Sequence, residues 1–381
     1  MQTFSSVSEI IRQKQPGLPV YCIYPHVYHA TAAHFVAGFP GRVLYAVKAN
    51  DHPLVIRALY DGGVRHFDCA SLHEIELVHA LCEDARCYLM NPARLDGDAR
   101  RAFERHGTRH FMIDHLSGLD PLLAEIDASR SVVFARMAVS HHSAMADLSS
   151  KFGAPPADIP AILQAIRDAG AEAALAFNVG TAVTDPEAYT IAMGIARDVL
   201  RNTPFPVRLL DIGGGFPRPY PGFSVPPLDA YFSAIRGIRD QLPLADDSEI
   251  MCEPGRALSA PGMSTITRVL LRKEDRLYLN DGMYGAFWEL RFRAHLRYAA
   301  QCYRGDAPRK GRLQSFRLFG PTCDSSDEMP GAVRLPADVA VGDYIEFGSM
   351  GAYSLSGRTR FNGFYSDDVV VIDNVMSAPL V

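Results

Sequence analysis

The chain has 381 residues, of which 48% are hydrophobic and 21% are charged. That length and composition suffice for two globular domains with large cores. A net charge of −5, with no dense block of lysine and arginine, argues against nucleic acid or an anionic membrane as a partner.

The first residues, MQTFSSVSEIIRQKQ, lack the basic start and apolar core of a secretion signal. No apolar stretch approaches the ~18 residues of a membrane span, so we expect a cytoplasmic protein. The seven cysteines and thirteen histidines show no zinc or disulfide spacing, and we predict no metal.

Apolar runs rich in Val, Ile, Leu and Phe recur at 43–47, 65–69, 87–90, 109–113, 132–137, 174–179, 206–212 and 248–252. Amphipathic helical stretches, such as PLVIRALYDGG and DPEAYTIAMGIARDVLRN, lie between them. Eight buried strands that alternate with helices predict an α/β fold, a (β/α)8 TIM barrel. We assign residues 23–262 to this barrel.

After residue 262 the sequence pattern changes to short predicted strands of alternating polar and apolar residues, separated by Gly and Pro turns. Examples are MSTITRVLLRK, DRLYLND and GDYIEFGS. This pattern predicts a C-terminal all-β domain over residues 263–381, on which residues 1–22 pack.

The motif LYAVKAN places Lys48 at the C-terminal end of the first predicted barrel strand. An amine there reaches the face where barrels build their sites, and it can form a Schiff base with a carbonyl cofactor. Taken alone, the motif also fits an ordinary solvated lysine.

Two further motifs follow the seventh and eighth predicted strands, whose loops commonly hold phosphate in such barrels. They are DIGGGFP, with Gly213, Gly214 and Gly215, and EPGR, with Glu253, Gly255 and Arg256. Glycines let backbone N–H groups approach an anion closely. Together with Lys48, these loops indicate pyridoxal 5′-phosphate (PLP) as the cofactor.

A carboxylate beside the pyridine nitrogen of PLP keeps that nitrogen protonated and strengthens the ring as an electron sink. Glu253 is the candidate for this role. The alternative is a salt bridge between Glu253 and Arg256.

At this point the chain resembles the fold-type III PLP enzymes of the ornithine and diaminopimelate decarboxylase group. The resemblance runs in order through YAVKAN, FDCAS, DIGGGFP, EPGRAL, NDGMYGAF, GPTCDSSD and MGAYSLSGRTRFNGF. It implies a Schiff base at Lys48, a pairing of Glu253 with the pyridine nitrogen, and phosphate held by the two glycine loops and Arg256. It also implies cofactor contacts from Tyr353, Asp68 and Arg136.

The same resemblance implies a homodimer with shared active sites, in which the β-domain of one subunit completes the barrel site of the other. Cys323 in GPTCDSSD resembles the thiol that protonates the product carbanion, and Asp324 resembles a residue that binds the distal amine of the substrate. A buried structural cysteine is the alternative for Cys323, although its Gly, Pro and Asp-rich loop favours function.

Two positions depart from the ornithine decarboxylase pattern. FNVGTAV has Asn178 where a histidine usually stacks on the cofactor, with Thr181 offering a hydroxyl nearby. In RFRAH, Arg293 replaces an aspartate that helps to bind the distal ammonium, which shifts the local preference from a cation to an anion. Arg293 is alternatively solvated or paired with Glu289 one helical turn away.

We therefore expect a PLP-dependent decarboxylase that acts on a small-molecule amino acid. Its substrate is either a diamino acid or an amino acid with an anionic or conjugated distal group, as in siderophore-type pathways. Two alternatives are an alanine-racemase-like enzyme and a non-catalytic decarboxylase homologue that binds or regulates partners.

Overall fold

The N-terminal segment contributes two strands to a sheet that is otherwise built from the end of the chain. The computed structural model describes residues 2–146, 149–376 and 379–380. The segment contains β1 (Thr3–Phe4), α1 (Val7–Lys14) and β2 (Val20–Ile23). Because β1 and β2 both pair with the last strand of the chain, the two termini meet in one sheet.

Eight parallel strands, each followed by at least one helix, form a closed barrel. In chain order the elements are α2 (Pro25–Gly38), β3 (Arg42–Ala46), α3 (Pro53–Asp61), β4 (His66–Cys69), α4 (Leu72–Leu81), β5 (Arg86–Leu89), α5 (Asp98–His106), β6 (His110–Ile113), α6 (Leu119–Leu123), β7 (Val132–Met137), α7 (Ile159–Asp168), β8 (Glu172–Phe177), α8 (Glu187–Arg201), β9 (Leu209–Asp211), α9 (Leu228–Arg239), β10 (Glu249–Cys252) and α10 (Arg256–Ser259). The barrel closes where β10 pairs with β3.

The predicted fold class is confirmed, and each of the eight predicted barrel strands corresponds to an observed strand. The largest difference is β9, which is shorter than the predicted run 206–212. Pro206 has no N–H to donate to a strand ladder, and the carbonyl of Val207 accepts a hydrogen bond from Ala245 (3.0 Å) in a loop. The predicted domain boundary at 262/263 stays a prediction.

The barrel interior is filled by side chains that alternate along the strands, as the pleat requires. This interior cluster consists of Leu44, Tyr88, Met90, Met112, Val132, Phe134, Ala174, Ala176, Leu209 and Met251. Full burial of one large apolar side chain among them stabilises the fold by about 1.5–3 kcal/mol. The barrel is therefore a packed core, and any site must lie at its mouth.

The remaining strands form a second, mixed sheet. They are β11 (Met263–Lys273), β12 (Arg276–Leu279), β13 (Ala300–Arg304), β14 (Ala307–Pro308), β15 (Leu313–Phe319), β16 (Glu328–Pro336), β17 (Tyr344–Phe347) and β18 (Val369–Ile372). The long strand β11 pairs with β2, β12 and β17. Across the described ranges, no helix has the length and hydropathy needed to cross a bilayer.

Two partly buried histidines mark the N-terminal end of the barrel, opposite the expected site. His66 begins β4 and His110 begins β6, and both contact Tyr88, whose hydroxyl lies 3.1 Å from His66 Nδ1. Burial, reinforced by the Arg42 guanidinium, lowers the pKa of His66 to about 4 and that of His110 to about 3. Both rings are therefore neutral in the folded protein at neutral pH.

As the pH falls, protonation of these two rings in the unfolded chain should destabilise the fold. This loss of stability should begin at a pH well above the pKa values of the rings in the folded protein. The unfolded chain, with a histidine pKa of about 6.5, takes up protons first, so stability present above about pH 6.5 is lost down to about pH 4. The loss reaches at most about 1.4 kcal/mol per pH unit for each ring, and less for the partly exposed His66. Urea unfolding of His110→Gln from pH 7 to pH 4 should show a flatter pH dependence, whereas the exposed His34→Gln should match the unmodified chain.

Candidate active site

A cavity of about 390 Å³ opens at the C-terminal ends of the barrel strands. It brings together eleven of the predicted site residues, which are Lys48, Asp68, Arg136, Asn178, Thr181, Gly214, Gly215, Glu253, Gly255, Arg256 and Tyr353. Side chains from six barrel strand ends thus converge on one volume, although they are up to about two hundred residues apart in the chain.

Lys48 projects into this cavity from a short 3₁₀ helix, Val47–Ala49, that follows β3 directly. Its Nζ donates to Asp68 Oδ2 at 2.8 Å. Asp68 is buried, whereas the Lys48 side chain is half-exposed. Burial alone would lower the pKa of Lys48, but the carboxylates of Asp68 and Glu253 outweigh it and raise that pKa. The pair fixes the amine at the mouth of the barrel.

Glu253 follows β10 and presents an unsatisfied acceptor. Its Oε1 is buried and has no hydrogen-bond partner among the described residues, and the same is true of Oδ2 of Asp211. Burial, followed by the charges of Asp211 and Asp68, raises the pKa of Glu253. Burial likewise raises the pKa of Asp211 to about 7. A buried acceptor of this kind calls for a donor, such as a protonated ring nitrogen.

The alternative in which Glu253 is bridged to Arg256 is wrong. Arg256 instead donates to Glu289, through Nη1 to Oε2 at 3.1 Å and through Nη2 to Oε1, and Nη1 also reaches the Tyr220 hydroxyl at 3.1 Å. The alternative pairing of Arg293 with Glu289 is wrong for the same reason, because Arg256 occupies that carboxylate.

The glycine loop after β9 requires residues without a side chain. Gly213 and Gly215 have φ values of 69° and 100°, in the left-handed region that favours glycine. A Cβ on Gly213 would lie 2.4 Å from the carbonyl oxygen of Phe177. Gly213 itself lies behind the cavity lining, where its N–H donates to Asp211 Oδ1 at 2.8 Å, while Gly214 and Gly215 face the cavity.

Tyr353 is the contribution of the second sheet to the cavity of the same chain. Its φ is 64°, which is rare for a bulky residue and often marks a functional position. The conformation is held by its N–H, which donates to the carbonyl of Ala49 at 2.6 Å. The Tyr353 ring lies 5.3 Å from the guanidinium of Arg256.

Asn178 uses its side chain to hold the loop after β8. Its Oδ1 accepts from the N–H of Gly180 at 2.9 Å, and a Cβ on Gly213 would lie 2.9 Å from its Nδ2. The amide therefore holds the loop after β8 and packs beside Gly213 of the loop after β9. Thr181 lines the same wall of the cavity.

The remaining predicted residues do not line this cavity. Cys323 is exposed, and its Sγ lies 3.2 Å from Asn362 Oδ1. Asp324 accepts hydrogen bonds from the Tyr284 hydroxyl and from the N–H of Ser326 (2.8 Å). The Tyr284 hydrogen bond is the main cause that lowers the pKa of Asp324.

One arginine lies beside Tyr284 and Asp324, and another follows it by two residues in the chain. The guanidinium of Arg291 lies 4.9 Å from the centre of the Tyr284 ring and helps to lower the pKa of Asp324, after its hydrogen bonds. Arg293 donates to the carbonyl of Phe292 at 2.8 Å and forms no ion pair with a carboxylate in the described part of the chain. Arg293 was predicted from the sequence as a substrate-binding residue, whereas Arg291 was not.

Asp211 and Lys151 were not predicted from the sequence, and Glu289 was considered only as a partner of Arg293. Asp211 is the first residue of DIGGGFP, so its position beside the glycines could have predicted that it lies near the cofactor site. Lys151 lines the cavity as a second amine. Nothing local in WELR indicated that Glu289 would reach Arg256.

These residues fit PLP. Lys48 supplies an amine, and the orphaned Glu253 Oε1 supplies an acceptor for a ring N–H. The loop N–H groups at Gly214 and Gly215, together with Arg256, supply donors for a phosphate. The decisive observation is the unsatisfied Glu253 oxygen, because a buried acceptor without a partner costs about 1–3 kcal/mol.

Comparison with known proteins agrees with this chemistry. Residues 27–260 match the model of the family described as pyridoxal-dependent decarboxylase, pyridoxal binding domain. The chain is 32% identical to a lysine/ornithine decarboxylase of Selenomonas ruminantium over 342 residues, which are 87% of this chain and 84% of the relative. It is 33% identical to decarboxylase flvG of Aspergillus flavus over 344 residues, 85% of this chain and 78% of the relative.

A solved structure shows the same fold. It is a lysine/ornithine decarboxylase from Vibrio vulnificus complexed with putrescine, with a TM-score of 0.82 and 28% sequence identity. The match covers 98% of this chain and all of that chain. Each of these three proteins is named as a decarboxylase, which favours decarboxylation over the racemase-like and non-catalytic alternatives.

Proposed function

This chain belongs to the pyridoxal-dependent decarboxylases, and from that premise we propose that the cavity at the barrel mouth is where it removes the α-carboxylate of its amino-acid substrate. It is a PLP-dependent amino-acid decarboxylase. The observation that carries the site assignment is the pairing of Lys48 with Asp68 across the cavity from the orphaned Glu253 oxygen.

Each residue of the cavity has a role that follows from its contacts. Lys48 is the residue that binds the cofactor covalently, and Asp68 orients its amine. When bound, PLP supplies an electron sink that stabilises negative charge at Cα as carbon dioxide leaves. Glu253 presents its buried Oε1 at the cavity wall, where it would accept a hydrogen bond from the N–H of the cofactor ring. Gly214, Gly215 and Arg256 bind the phosphate.

Tyr353, Arg136, Asn178 and Thr181 complete the walls of the cofactor site. Tyr353 packs its ring against the Arg256 guanidinium at 5.3 Å, so it forms part of the wall at the proposed phosphate end of the cavity. Asn178 holds the loop after β8 through Gly180, at the position where a stacking ring is expected in the family. Arg136 places a positive charge near Glu253 and Asp211.

Cys323 and Asp324 are proposed to act in the cavity of a second copy of the chain. Both lie outside the cavity of their own chain, and Cys323 is exposed. A homodimer in which residues 263–381 of one subunit complete the barrel site of the other brings them to the substrate. There the Cys323 thiol, held by Asn362, delivers a proton to Cα, and Asp324 meets the distal end of the substrate.

The first candidate substrates are basic diamino acids, because two of the three relatives named above are lysine/ornithine decarboxylases. A second class, amino acids with an anionic or conjugated distal group, is favoured by the arginines. Asp324 already accepts from Tyr284 and is faced by Arg291, and Arg293 carries a free positive charge close by in the chain. A carboxylate or acyl group is the better partner for this charge distribution.

Release of carbon dioxide by the purified PLP-loaded protein tests the function. The panel comprises ornithine, lysine, arginine, diaminopimelate, 2,4-diaminobutyrate and a few acylated or citrate-conjugated amino acids. A preference for a free diamino acid would mean that Asp324 dominates recognition. No release from any α-amino acid, with PLP bound, would contradict the proposal.

Arg293→Asp should change the substrate preference toward free diamino acids. The substitution replaces a cation by a carboxylate in the distal region, so kcat/KM for lysine and ornithine should rise by about tenfold and that for an anionic substrate should fall similarly. Arg293→Lys retains the charge and should keep the original order of substrates. An unchanged order in Arg293→Asp would remove Arg293 from substrate recognition.

A further inference from the structure

Arg256 and Glu289 form a buried ion pair next to the proposed phosphate site. Their side chains are 4% and 6% exposed. Both terminal nitrogens of the guanidinium are used by Glu289, and Nη1 also donates to Tyr220. Bidentate pairing of this kind is the strongest geometry available to an arginine.

The two residues come from different parts of the fold. Arg256 begins α10 at the cavity wall, directly after Gly255. Glu289 lies in a short 3₁₀ helix, Trp288–Arg291, and is not part of the cavity lining. The carboxylate therefore approaches Arg256 from behind, on the side away from the ligand.

The guanidinium still has one group to offer. Its Nε is buried and lacks a hydrogen-bond partner within the residues that the structure describes. A phosphate at the glycine loop could therefore accept a hydrogen bond from Arg256 Nε. The positive charge of that arginine is already balanced by Glu289.

We propose that Glu289 is the permanent counter-ion of the phosphate-binding arginine, a positioning residue that lets the fold form without cofactor and thereby weakens cofactor binding. The inference rests on the proposed phosphate site. Removal of one partner from a buried ion pair leaves an uncompensated charge, which is strongly destabilising. Among the described residues no other carboxylate pairs with Arg256, so a bound phosphate could compensate its charge after loss of Glu289, and that loss should link folding to the cofactor.

Glu289→Gln tests this link because it keeps the size of the side chain and removes its charge. In the full-length protein stripped of PLP, the thermal midpoint should fall by several degrees. PLP should then raise the midpoint more than it does in the unmodified protein. The dissociation constant for PLP, from titration of the absorbance of bound cofactor, should become tighter on the order of tenfold.

Glu249→Gln is a matched control at the opposite end of the same barrel. Glu249 begins β10 and also binds an arginine through both oxygens, with Arg42 Nε at 3.1 Å from Oε1. Its substitution should lower the thermal midpoint equally with and without PLP. Tyr220→Phe removes the other Arg256 partner without a change of charge and should leave PLP affinity within about twofold.

Inorganic phosphate separates the phosphate contact from the rest of the cofactor. It should stabilise Glu289→Gln more than the unmodified protein, whereas chloride at equal ionic strength should not. If Glu289→Gln does not fold even with PLP, Glu289→Asp decides, because it withdraws the charge by one methylene and should tighten PLP in the same direction but less.

Unchanged or weaker PLP binding in Glu289→Gln and Glu289→Asp would overturn the inference. Equal stabilisation of Glu289→Gln and the unmodified protein by inorganic phosphate would also overturn it. Neither measurement involves turnover. A failure of the decarboxylation assay alone would therefore count against the proposed function and leave this inference standing.

Discussion

Lys48→Ala is expected to abolish covalent attachment of PLP and to lower kcat by at least about 10³-fold, the range for loss of a residue that acts directly on the reacting atoms. The amine is held at 2.8 Å from Asp68 at the mouth of the barrel. Borohydride reduction of the PLP-loaded protein, followed by peptide mass spectrometry, should place the cofactor on Lys48 and find none in the variant.

Two further variants exclude indirect explanations. Lys48→Arg retains a cation beside the buried Asp68 and cannot bind the cofactor covalently, so it should be as inactive as Lys48→Ala while the fold keeps its stability. Lys151→Ala removes the other lysine of the cavity and should leave the attachment intact. A cofactor adduct on Lys151, or a persistent adduct in Lys48→Arg, would contradict the assignment.

The sequence was sufficient to predict the barrel and the residues at its strand ends. Strand periodicity and strand order together dictate which residues end at the same edge, so Lys48, Glu253 and the glycine loop could be placed together before any coordinates. Gly213 and Gly215 have positive φ angles, and a side chain at either position would collide with its neighbours. Only glycine fits there, which is why the glycines in the sequence predicted this loop.

The partners of charged side chains could not be predicted in the same way. Arg293 lies near Glu289 in the chain, but the carboxylate binds Arg256, which is 33 residues away in sequence. The same contact excludes Arg256 as the alternative partner of Glu253. Salt bridges depend on tertiary distances of a few ångströms, which neither periodicity nor motif spacing encodes.

The Asp211–Glu253 pair shows a related limit. The motif DIGGGFP identifies Asp211 as a residue of the loop, but only the structure shows that its Oδ2 and the Glu253 Oε1 are both buried without partners in the described chain. Burial is the largest cause that raises the pKa of each carboxyl group, and neighbouring carboxylates add to it, Asp68 for both groups and Asp211 for Glu253. The pairing of these two carboxyl groups is a property of the fold and has no counterpart in the local sequence.

Cys323→Ala should slow product formation by about 100-fold or more, the usual loss for a general acid, and should divert protonation of Cα. The thiol is exposed, in a loop outside the cavity that holds Lys48. Its role therefore requires a second chain, and this makes a sharper experiment possible. A Lys48→Arg subunit is defective in the barrel half of the proposed shared site. A Cys323→Ala subunit is defective in the half that residues 263–381 supply to the other chain.

Equal amounts of these two variants, unfolded and refolded together, should regain about a quarter of the unmodified activity. Half of the random dimers are mixed, and each mixed dimer has one site with both Lys48 and Cys323 intact. Refolding each variant alone controls for residual activity, and mass analysis of the intact complex counts the chains. Recovery no greater than the mean of the two variants would place Cys323 and Lys48 in the same chain's site or reduce Cys323 to a structural residue. Recovery near one quarter requires that the thiol acts across the interface, because no homodimer in the mixture contains a complete site.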